Sequence, residues 1–330
     1  GLAVGISAGL LVALWRGPRR LICLAGVIVI WLGAFGLGQV EWTQSRGEAI
    51  RVALVQGNIP QEQKWAPDNL SNTLLRYAEL SFSEPGVDLF VWPETAIPAF
   101  HHQVQETFLP GLEGQLQEYG ADLLTGIPVL EKGSWQYYNA VVALGGDQAF
   151  YYKQHLVPFG EYLPLRWLIG GGLDALAVPN ADFSSGGAGQ MLLNVAGVPV
   201  SSSICFEVVF CEQIIRDLPE AALLVNVSND AWFGNSLAPH QHLEMARMRA
   251  RETGRPMLRA TNTGISAVID ARGNMVIRSP QFEEVVVTAT VQPYQGATPY
   301  VLAGNWPVLI LSALLVLVPL VIGRRRGAGS

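Results

Sequence analysis

The stretch SSSICFEVVF, residues 201–210, places a cysteine and a glutamate at the end of a strand-like run. Val198 to Ile204 predicts a strand, and the residues that follow Glu207 predict a helix. Two interpretations of Cys205 are open at this point. A free cysteine is commonly a small buried core residue, and Glu207 then suits the first turn of a helix through its charge alone. Alternatively, the helix N-terminus lowers the pKa of the thiol and makes Cys205 a nucleophile, which requires a base and a cation elsewhere in the chain.

Candidates for the base and the cation lie upstream of the cysteine. Glu94 follows the strand-like run Asp88 to Trp92 and stands between two prolines, and Lys153 follows an aromatic run. Each has a plainer interpretation alone: Glu94 as a solvated loop acid, and Lys153 as a charge on an edge strand. With Cys205 they form a chemical set, because a carboxylate can take the thiol proton and an ammonium can stabilise the oxyanion that forms when the thiol attacks a carbonyl.

The composition indicates a protein that lies partly in lipid. Charged residues make up 15% of the 330 residues, against roughly 25% in soluble proteins. Hydrophobic residues make up 50%, and the mean hydropathy is +0.28. A net charge of -6 argues against a nucleic-acid partner. The 3 cysteines show neither a C-x-x-C pair nor a zinc-ligand spacing.

Two uncharged segments, Leu21–Gly38 and Tyr300–Gly323, are long enough to cross a bilayer. Residues 1–14 resemble the end of another span, and since no initiator Met precedes them, we expect the chain to begin inside a longer protein. A signal peptide is the alternative for the first segment, but a charged start and a cleavage site are missing. The predicted parts are membrane helices with a short arginine-rich cytoplasmic loop (1–38), a large domain (39–298), a last membrane helix (299–323) and a cytoplasmic tail (324–330).

The arginines predict the orientation. Arg16, Arg19 and Arg20 lie between the first two spans, and residues 324–326, all arginines, follow the last one. Because positive residues stay on the cytoplasmic side, both clusters place the large domain on the outer face of the membrane.

Strand-like and helix-like segments alternate along the large domain, and this alternation predicts an α/β fold. The predicted strands are 51–56, 88–92, 121–127, 139–144, 198–204, 222–227 and 265–269. The predicted helices are 68–82, 103–119, 207–218 and 242–252.

Longer motifs carry a resemblance to a known family. They are VQGNIPQEQKW (55–65), WPETAIP (92–98), HLVPFGEYLP (155–164), SICFE (203–207), NVSNDAWFG (226–234), QHLEMARMRARETGRPMLRATNTGISAVID (241–270) and GNWP (304–307). In this order they resemble the apolipoprotein N-acyltransferases, a family of the nitrilase or carbon-nitrogen hydrolase superfamily. The match runs from about Val52 to Trp306, and the flanking spans are similar too.

The resemblance implies a nitrilase-type αββα sandwich, flanked by transmembrane helices, on the periplasmic side of a bacterial inner membrane. It implies a cofactor-free monomer that takes an acyl chain from a phospholipid, typically phosphatidylethanolamine. The chain would pass through a cysteine thioester to the α-amine of the N-terminal diacylglyceryl-cysteine of a lipoprotein. Two alternatives stay open: a membrane-tethered amidase that uses water instead of an amine, and an inactive lipoprotein-binding module.

The resemblance also implies roles for residues. Cys205 resembles the nucleophile, Glu94 the base and Lys153 the oxyanion stabiliser. The supporting and substrate-binding residues that it implies are Glu161, Glu207, Phe206, Trp65, Asn139 and Trp232. The family commonly has tyrosine where this chain has Phe206. If a hydroxyl served the chemistry there, it is lost; the alternative, which we favour, is that the ring packs and the hydroxyl is dispensable.

No metal site is predicted, because His240 and His242 would face different sides of a helix and no third ligand is evident. The irregular segment from Leu163 to Val178 is rich in glycine and apolar residues. We expect it to form a lid that admits a lipid, with Leu163, Trp167, Leu168 and Gly171 as its main residues. The alternative is that these side chains pack onto the core.

Overall fold

The computed structural model describes residues 2–16, 20–131, 133–134, 136–162, 183–314 and 317. The chain divides into two compact units, one formed by Gly1–Trp42 with Leu302–Ser330 and the other by Thr43–Val301. The predicted lid, with Leu163, Trp167, Leu168 and Gly171, lies outside the described residues, as do the arginines at 19 and 324–326.

The secondary structure of the described residues follows the predicted alternation. The helices are α1 Leu2–Arg16, α2 Arg20–Gln39, α3 Gln61–Lys64, α4 Leu70–Phe82, α5 His101–Val104, α6 Leu109–Tyr119, α7 Cys211–Ile215, α8 Ala238–Thr253 and α9 Pro299–Ala303. The strands are β1 Thr43–Ser45, β2 Ile50–Gln56, β3 Leu89–Val91, β4 Asp122–Leu130, β5 Tyr137–Leu144, β6 Ala149–Tyr152, β7 Leu193–Val195, β8 Val198–Ile204, β9 Leu223–Ser228, β10 Met257–Thr261, β11 Ala267–Ile269, β12 Met275–Arg278, β13 Val285–Val291 and β14 Tyr294–Gly296.

The smaller unit contains the helices α1 and α2. The segment Leu21–Gln39 is long and apolar enough to cross a membrane, and it is the one such helix among the described residues. Its large side chains, among them Leu21, Trp31 and Phe35, are exposed rather than packed into a core. The indole of Trp31 donates a hydrogen bond to Ser7 Oγ at 3.0 Å, which ties α2 to α1.

The larger unit is built on two six-stranded sheets. One has the strand order β13-β2-β3-β4-β5-β6, and the other has the order β12-β11-β10-β9-β8-β7. The neighbours β8, β9 and β10 run parallel, as do β2, β3 and β4. Every residue of β9 is buried, which is typical of a parallel strand covered on both faces.

Three apolar layers hold the sheets and helices together. The central layer packs the faces of the two sheets against each other, with residues such as Leu54, Val91, Val200 and Val225. A second layer covers the outer face of the first sheet with α4 and α6. The third covers the outer face of the second sheet with α7 and α8. The order of layers is therefore helix, sheet, sheet, helix, and the predicted αββα sandwich is confirmed.

Two predicted helices differ from the structure. The predicted helix 103–119 is wrong as a single helix, because α5 and α6 are separate and Pro110 stands in the first turn of α6. A proline cannot continue a helix through its own position, since it lacks an N–H and crowds the preceding turn. The predicted helix 207–218 is also wrong: a short 3₁₀ helix, Cys205–Val209, ends at Phe210, whose φ of −86° and ψ of 86° are not helical, before α7 begins.

Candidate active site

Glu94 lies in a tight turn directly after β3, and its carboxylate points into the protein. Its Oε1 accepts a hydrogen bond from Asn139 Nδ2 at 2.7 Å, and its Oε2 accepts one from the backbone N–H of Asn229 at 2.9 Å. The next residue, Thr95, has a φ of +51°, so the backbone turns sharply here. The side chain is buried, and the interpretation of Glu94 as a solvated loop acid is wrong.

Lys153 follows β6 at the edge of the first sheet, yet it is only 1% exposed. Its Nζ lies 2.7 Å from Glu161 Oε1 and 3.5 Å from Glu94 Oε1. Burial alone lowers the pKa of Lys153, but Glu94, Cys205 and Glu161 outweigh that effect and hold the pKa above its ordinary value. The side chain is therefore a fixed ammonium between two carboxylates, rather than a surface charge on an edge strand.

Glu161 and Asn139 complete this cluster. Asn139 lies on β5, and its Nδ2 donates to Glu161 Oε1 at 3.2 Å in addition to Glu94. The second oxygen of Glu161 accepts the backbone N–H of Val157 at 2.8 Å. The structure thus brings together four of the residues predicted for the site, Glu94, Asn139, Lys153 and Glu161.

Cys205 begins the 3₁₀ helix that follows β8 and is partly buried. Its φ is +54°, in the left-handed region that costs a non-glycine residue about 1–3 kcal/mol and persists only where the surroundings impose it. Burial raises the pKa of its thiol to about 12, and the negative charge of Glu94 adds to the rise while Lys153 opposes it.

The expectation that a helix N-terminus lowers the thiol pKa is therefore wrong. Cys205 begins a 3₁₀ helix of 5 residues, whose dipole is small, whereas burial and then the charge of Glu94 raise the thiol pKa. Near neutral pH the thiol keeps its proton, so a nucleophilic attack by Cys205 requires that a base remove the proton as the attack occurs.

Glu207 is completely buried and accepts hydrogen bonds from five donors. The donors are the backbone N–H groups of Gln154, His155 and Ile204, the hydroxyl of Tyr151 and the side-chain amide of Gln213. One carboxylate thereby joins the chain just after Lys153 to the residue just before Cys205. Glu207 fixes the geometry of the site instead of facing a substrate.

Lys64 is a buried residue of the site that the sequence interpretation missed. Its Nζ donates a hydrogen bond to the backbone oxygen of Glu94 at 2.9 Å. Burial lowers its pKa to about 8, although Glu94 and then Cys205 act in the opposite direction. The only signal in the sequence is that Lys64 precedes Trp65 in the motif QEQKW, in which the resemblance assigns a role to the tryptophan alone.

The predicted aromatic residues lie on the surface instead of in this buried cluster. Trp65 and Phe206 are exposed, and Trp232 is 75% exposed. Phe206 packs edge-on against Phe210, with the ring centroids 5.4 Å apart. Exposed aromatic rings of this size can cover an apolar substrate. The contact between Phe206 and Phe210 is made by the two rings and needs no hydroxyl group on residue 206.

Cys205, Asp230 and His242 offer three potential metal-ligand atoms within 4.8 Å of one another. The guanidinium of Arg259, however, donates to Asp230 Oδ2 at 2.8 Å and approaches His242 Nδ1 at 3.0 Å. A fixed positive charge at this position opposes a second cation, and it already satisfies the ligand atoms. These residues fit a hydrogen-bond network better than a metal centre.

The comparisons with known proteins agree with this arrangement. Residues 51–300 match the model of the carbon-nitrogen hydrolase family. The apolipoprotein N-acyltransferase of Methylococcus capsulatus is 47% identical over 332 residues, which cover 100% of this chain and 66% of that protein. The protein of the same name from Nitrosomonas europaea is 47% identical over 88% of this chain and 59% of its own length. The chain thus spans 59–66% of the length of these two relatives, and the resemblance read from the motifs is confirmed.

Solved structures of the superfamily share the fold. XC1258 from Xanthomonas campestris, a CN-hydrolase superfamily protein, has a TM-score of 0.56 and 19% identity, covering 80% of this chain and 97% of that one. Saccharomyces cerevisiae Nit3, of the nitrilase superfamily, has the same TM-score of 0.56 at 19% identity, covering 77% and 93%. Since the family model covers most of the chain and the αββα sandwich agrees with it, the chain belongs to the carbon-nitrogen hydrolase family.

Proposed function

We propose that this chain carries the acyl-transfer site of an apolipoprotein N-acyltransferase. The acyl chain would move from a phospholipid, of which phosphatidylethanolamine is the proposed donor, to the α-amine of the diacylglyceryl-cysteine at the N-terminus of a lipoprotein. The observation that carries the proposal is the buried arrangement of Glu94, Lys153 and Cys205 in a chain whose relatives at 47% identity bear this name.

In the first half-reaction, Cys205 would attack the ester carbonyl of the phospholipid. Glu94 takes the thiol proton as the bond between Sγ and the carbonyl carbon forms, and the Lys153 ammonium stabilises the resulting oxyanion. Collapse of the tetrahedral intermediate breaks the ester C–O bond. The leaving alkoxide takes the proton from Glu94 and departs as a lysophospholipid, which leaves a thioester on Cys205.

In the second half-reaction, the neutral α-amine of the lipoprotein would attack the thioester carbonyl. Glu94 accepts a proton from the nitrogen, and Lys153 again stabilises the oxyanion. The C–S bond breaks, the sulfur recovers its proton from Glu94, and the product is an amide. The fixed ammonium of Lys153 serves both steps because it lies between two carboxylates and keeps its charge.

We further propose a monomer in a bacterial inner membrane, with several spans and the catalytic domain on the periplasmic side. Two features support this placement: the exposed apolar side chains of Leu21–Gln39, and the positive-inside pattern of the arginines. The lid between Leu163 and Val178 stays a prediction.

Intact mass after incubation with phospholipid alone tests the proposed function. One acyl mass should appear on Cys205 and should be removed by hydroxylamine. Cys205→Ala should not acquire the label, and the matched control Cys211→Ala should acquire it normally. Labelling at Cys211, or no label on the wild-type chain, would contradict the proposal.

The second substrate separates the transferase from the amidase alternative. A diacylglyceryl lipopeptide added to the thioester form should yield an N-acylated lipopeptide, with a lysophospholipid left from the first step. Release of ammonia or an amine from amide substrates, with no acylated lipopeptide, would instead support a membrane-tethered amidase. A chain that forms no thioester but retains the lipopeptide would be an inactive lipoprotein-binding module.

A further inference from the structure

Two side chains bind the backbone carbonyl of Cys205, one from a strand of the second sheet and one from the helix that covers this sheet. His242, on α8, places its Nε2 at 3.0 Å from this oxygen. Asn226, on β9, donates its Nδ2 to the same oxygen at 3.2 Å. Both contacts lie on the residue whose left-handed backbone conformation aims the thiol, so they help to impose a conformation that Cys205 would otherwise avoid.

The neighbours of His242 determine which ring nitrogen carries the proton. A carbonyl oxygen can only accept, so the Nε2 that faces Cys205 must be protonated. Nδ1 lies 3.0 Å from the guanidinium of Arg259, which can only donate, and 3.1 Å from Asp230 Oδ1, which can only accept, so these two contacts alone do not assign its proton. In a neutral ring, the proton that the Cys205 carbonyl requires on Nε2 leaves Nδ1 to accept from Arg259.

Four further contacts surround the Nδ1 side of the ring. Arg259 donates to Asp230 Oδ2 at 2.8 Å and is also hydrogen-bonded to the side-chain oxygen of Asn226. Asp230 Oδ1 lies 3.1 Å from His242 Nδ1 and accepts the hydroxyl of Ser228 at 2.9 Å. Arg259 and the Asp230 side chain are fully buried, so this ion pair cannot relax into solvent. Burial and then Arg259 lower the pKa of His242, against the opposing effect of Asp230, and this favours the neutral ring.

We propose that His242 is a positioning residue for Cys205, and that it acts through the Nε2–H of a neutral ring whose Nδ1 accepts from Arg259. The proposal rests on the proposed role of Cys205 as the acyl carrier. The hydrogen-bond contacts of His242 are with the Cys205 carbonyl, Arg259 and Asp230. Its contribution is to hold the Cys205 carbonyl, and through it the left-handed turn, in the geometry needed for attack.

Low pH should weaken the contact between His242 and the Cys205 carbonyl. Protonation of Nδ1 places an N–H against the guanidinium of Arg259 and adds a second positive charge beside it. Asp230 Oδ1, at 3.1 Å, can accept the new N–H, but Arg259 then loses its acceptor at Nδ1. We therefore expect the ring to turn toward Asp230 and away from the Cys205 carbonyl as the pH falls below the ordinary imidazole range, with a loss of acylation rate that precedes unfolding.

Three variants of the whole chain test the proposal. His242→Leu removes the donor and should slow acylation of Cys205 by phospholipid about 10–100-fold, the range expected when an attacking group is slightly misplaced. His242→Gln keeps an N–H donor at the position of Nε2 but cannot titrate. It should acylate within a few fold of the wild type, with its acid limb displaced to lower pH. His240→Gln, a change at an exposed position on the same helix, is the matched control and should alter neither the rate nor the pH profile.

A spectroscopic measurement covers the case in which His242→Leu does not fold. The imidazole ¹⁵N shifts of the wild-type chain near neutral pH should show a histidine with protonated Nε2 and unprotonated Nδ1, and the signal should vanish in His242→Gln. The opposite form, or a doubly protonated ring, would overturn the proposal. So would a wild-type rate in His242→Leu, or an acid limb in His242→Gln that matches the wild type. Failure of the wild type to form any thioester would refute the proposed function instead, and the ¹⁵N signal would still test the geometry.

Discussion

Gly126→Ala should reduce acylation strongly although residue 126 carries no functional group. A methyl group built at Gly126 on β4 would lie 2.3 Å from the backbone nitrogen of Thr95 and 2.7 Å from both Glu94 Cα and the Pro93 oxygen. All three are backbone atoms of the turn that presents Glu94, so no side chain can rotate away. Relief of the contact requires the turn to move by roughly 1 Å, and a displacement of that size can cost about 100-fold in rate.

The overpacking should also lower the free energy of unfolding by about 1–3 kcal/mol. The assays are the rate at which the acyl mass appears on Cys205 and the urea concentration at the midpoint of unfolding. Gly114→Ala is the matched control, because it lies inside α6 with nothing within 4 Å of the added methyl group. It should leave the rate unchanged and stabilise the chain by about 0.5–1 kcal/mol. A wild-type acylation rate in Gly126→Ala would refute the idea that this glycine sets the position of Glu94.

Four other substitutions test the remaining features of the site. Glu94→Gln and Lys153→Met should each slow thioester formation by about 10²–10⁴-fold, measured by intact mass, and a near-normal rate in either would remove that residue from the mechanism. Glu207→Gln replaces one carboxylate oxygen by an N–H₂ that faces two or three of the five donors, and should lower the unfolding free energy by about 1–3 kcal/mol; urea unfolding that matches the wild type would show that these hydrogen bonds do not matter. Lys64→Met should flatten the pH dependence of stability. The folded-state pKa of Lys64 is lowered from 10.5 to about 8, so the unfolded chain binds more protons between these values and wild-type stability should rise across this window by up to roughly 3 kcal/mol. Equal slopes in both proteins from pH 8 to 10 would contradict the burial of a titrating Lys64.

The sequence predicts those strands and helices whose residues show the pattern within the element itself. Strand β8 has the predicted bounds, Val198–Ile204, because a strand-like run ends there at a change of periodicity. Strand β10, Met257–Thr261, was missed because it contains Arg259. A charged residue within a short strand-like run usually indicates a surface position. Here the guanidinium of Arg259 is buried against Asp230, and because the two residues are far apart along the chain, the local sequence does not reveal the ion pair.

The same limit applies to the site. Glu94, Lys153 and Cys205 could be identified as a set because their residue types suit one reaction, and because the motifs around them are specific. The burial of Lys64 could not be foreseen, since its partner is the backbone oxygen of a residue 30 positions away. The thiol pKa was predicted in the wrong direction for a similar reason: the local pattern suggested a helix N-terminus, while burial in the folded chain and then the Glu94 carboxylate raise the pKa.

The raised pKa of Cys205 becomes intelligible once the charges of the site are considered together. Two carboxylates, Glu94 and Glu161, face the Lys153 ammonium, and Lys64 lies behind the Glu94 backbone. Transfer of the thiol proton to Glu94 creates a thiolate and removes a carboxylate charge in the same step, so the net charge of the buried cluster does not change. A free thiolate beside ionised Glu94 would add a negative charge in a low-dielectric site, which is what the raised pKa reflects. The arrangement keeps the sulfur protonated until a carbonyl carbon is in place to accept its electrons, and in the proposed reaction it would restrict nucleophilic attack to moments when an acyl donor is bound.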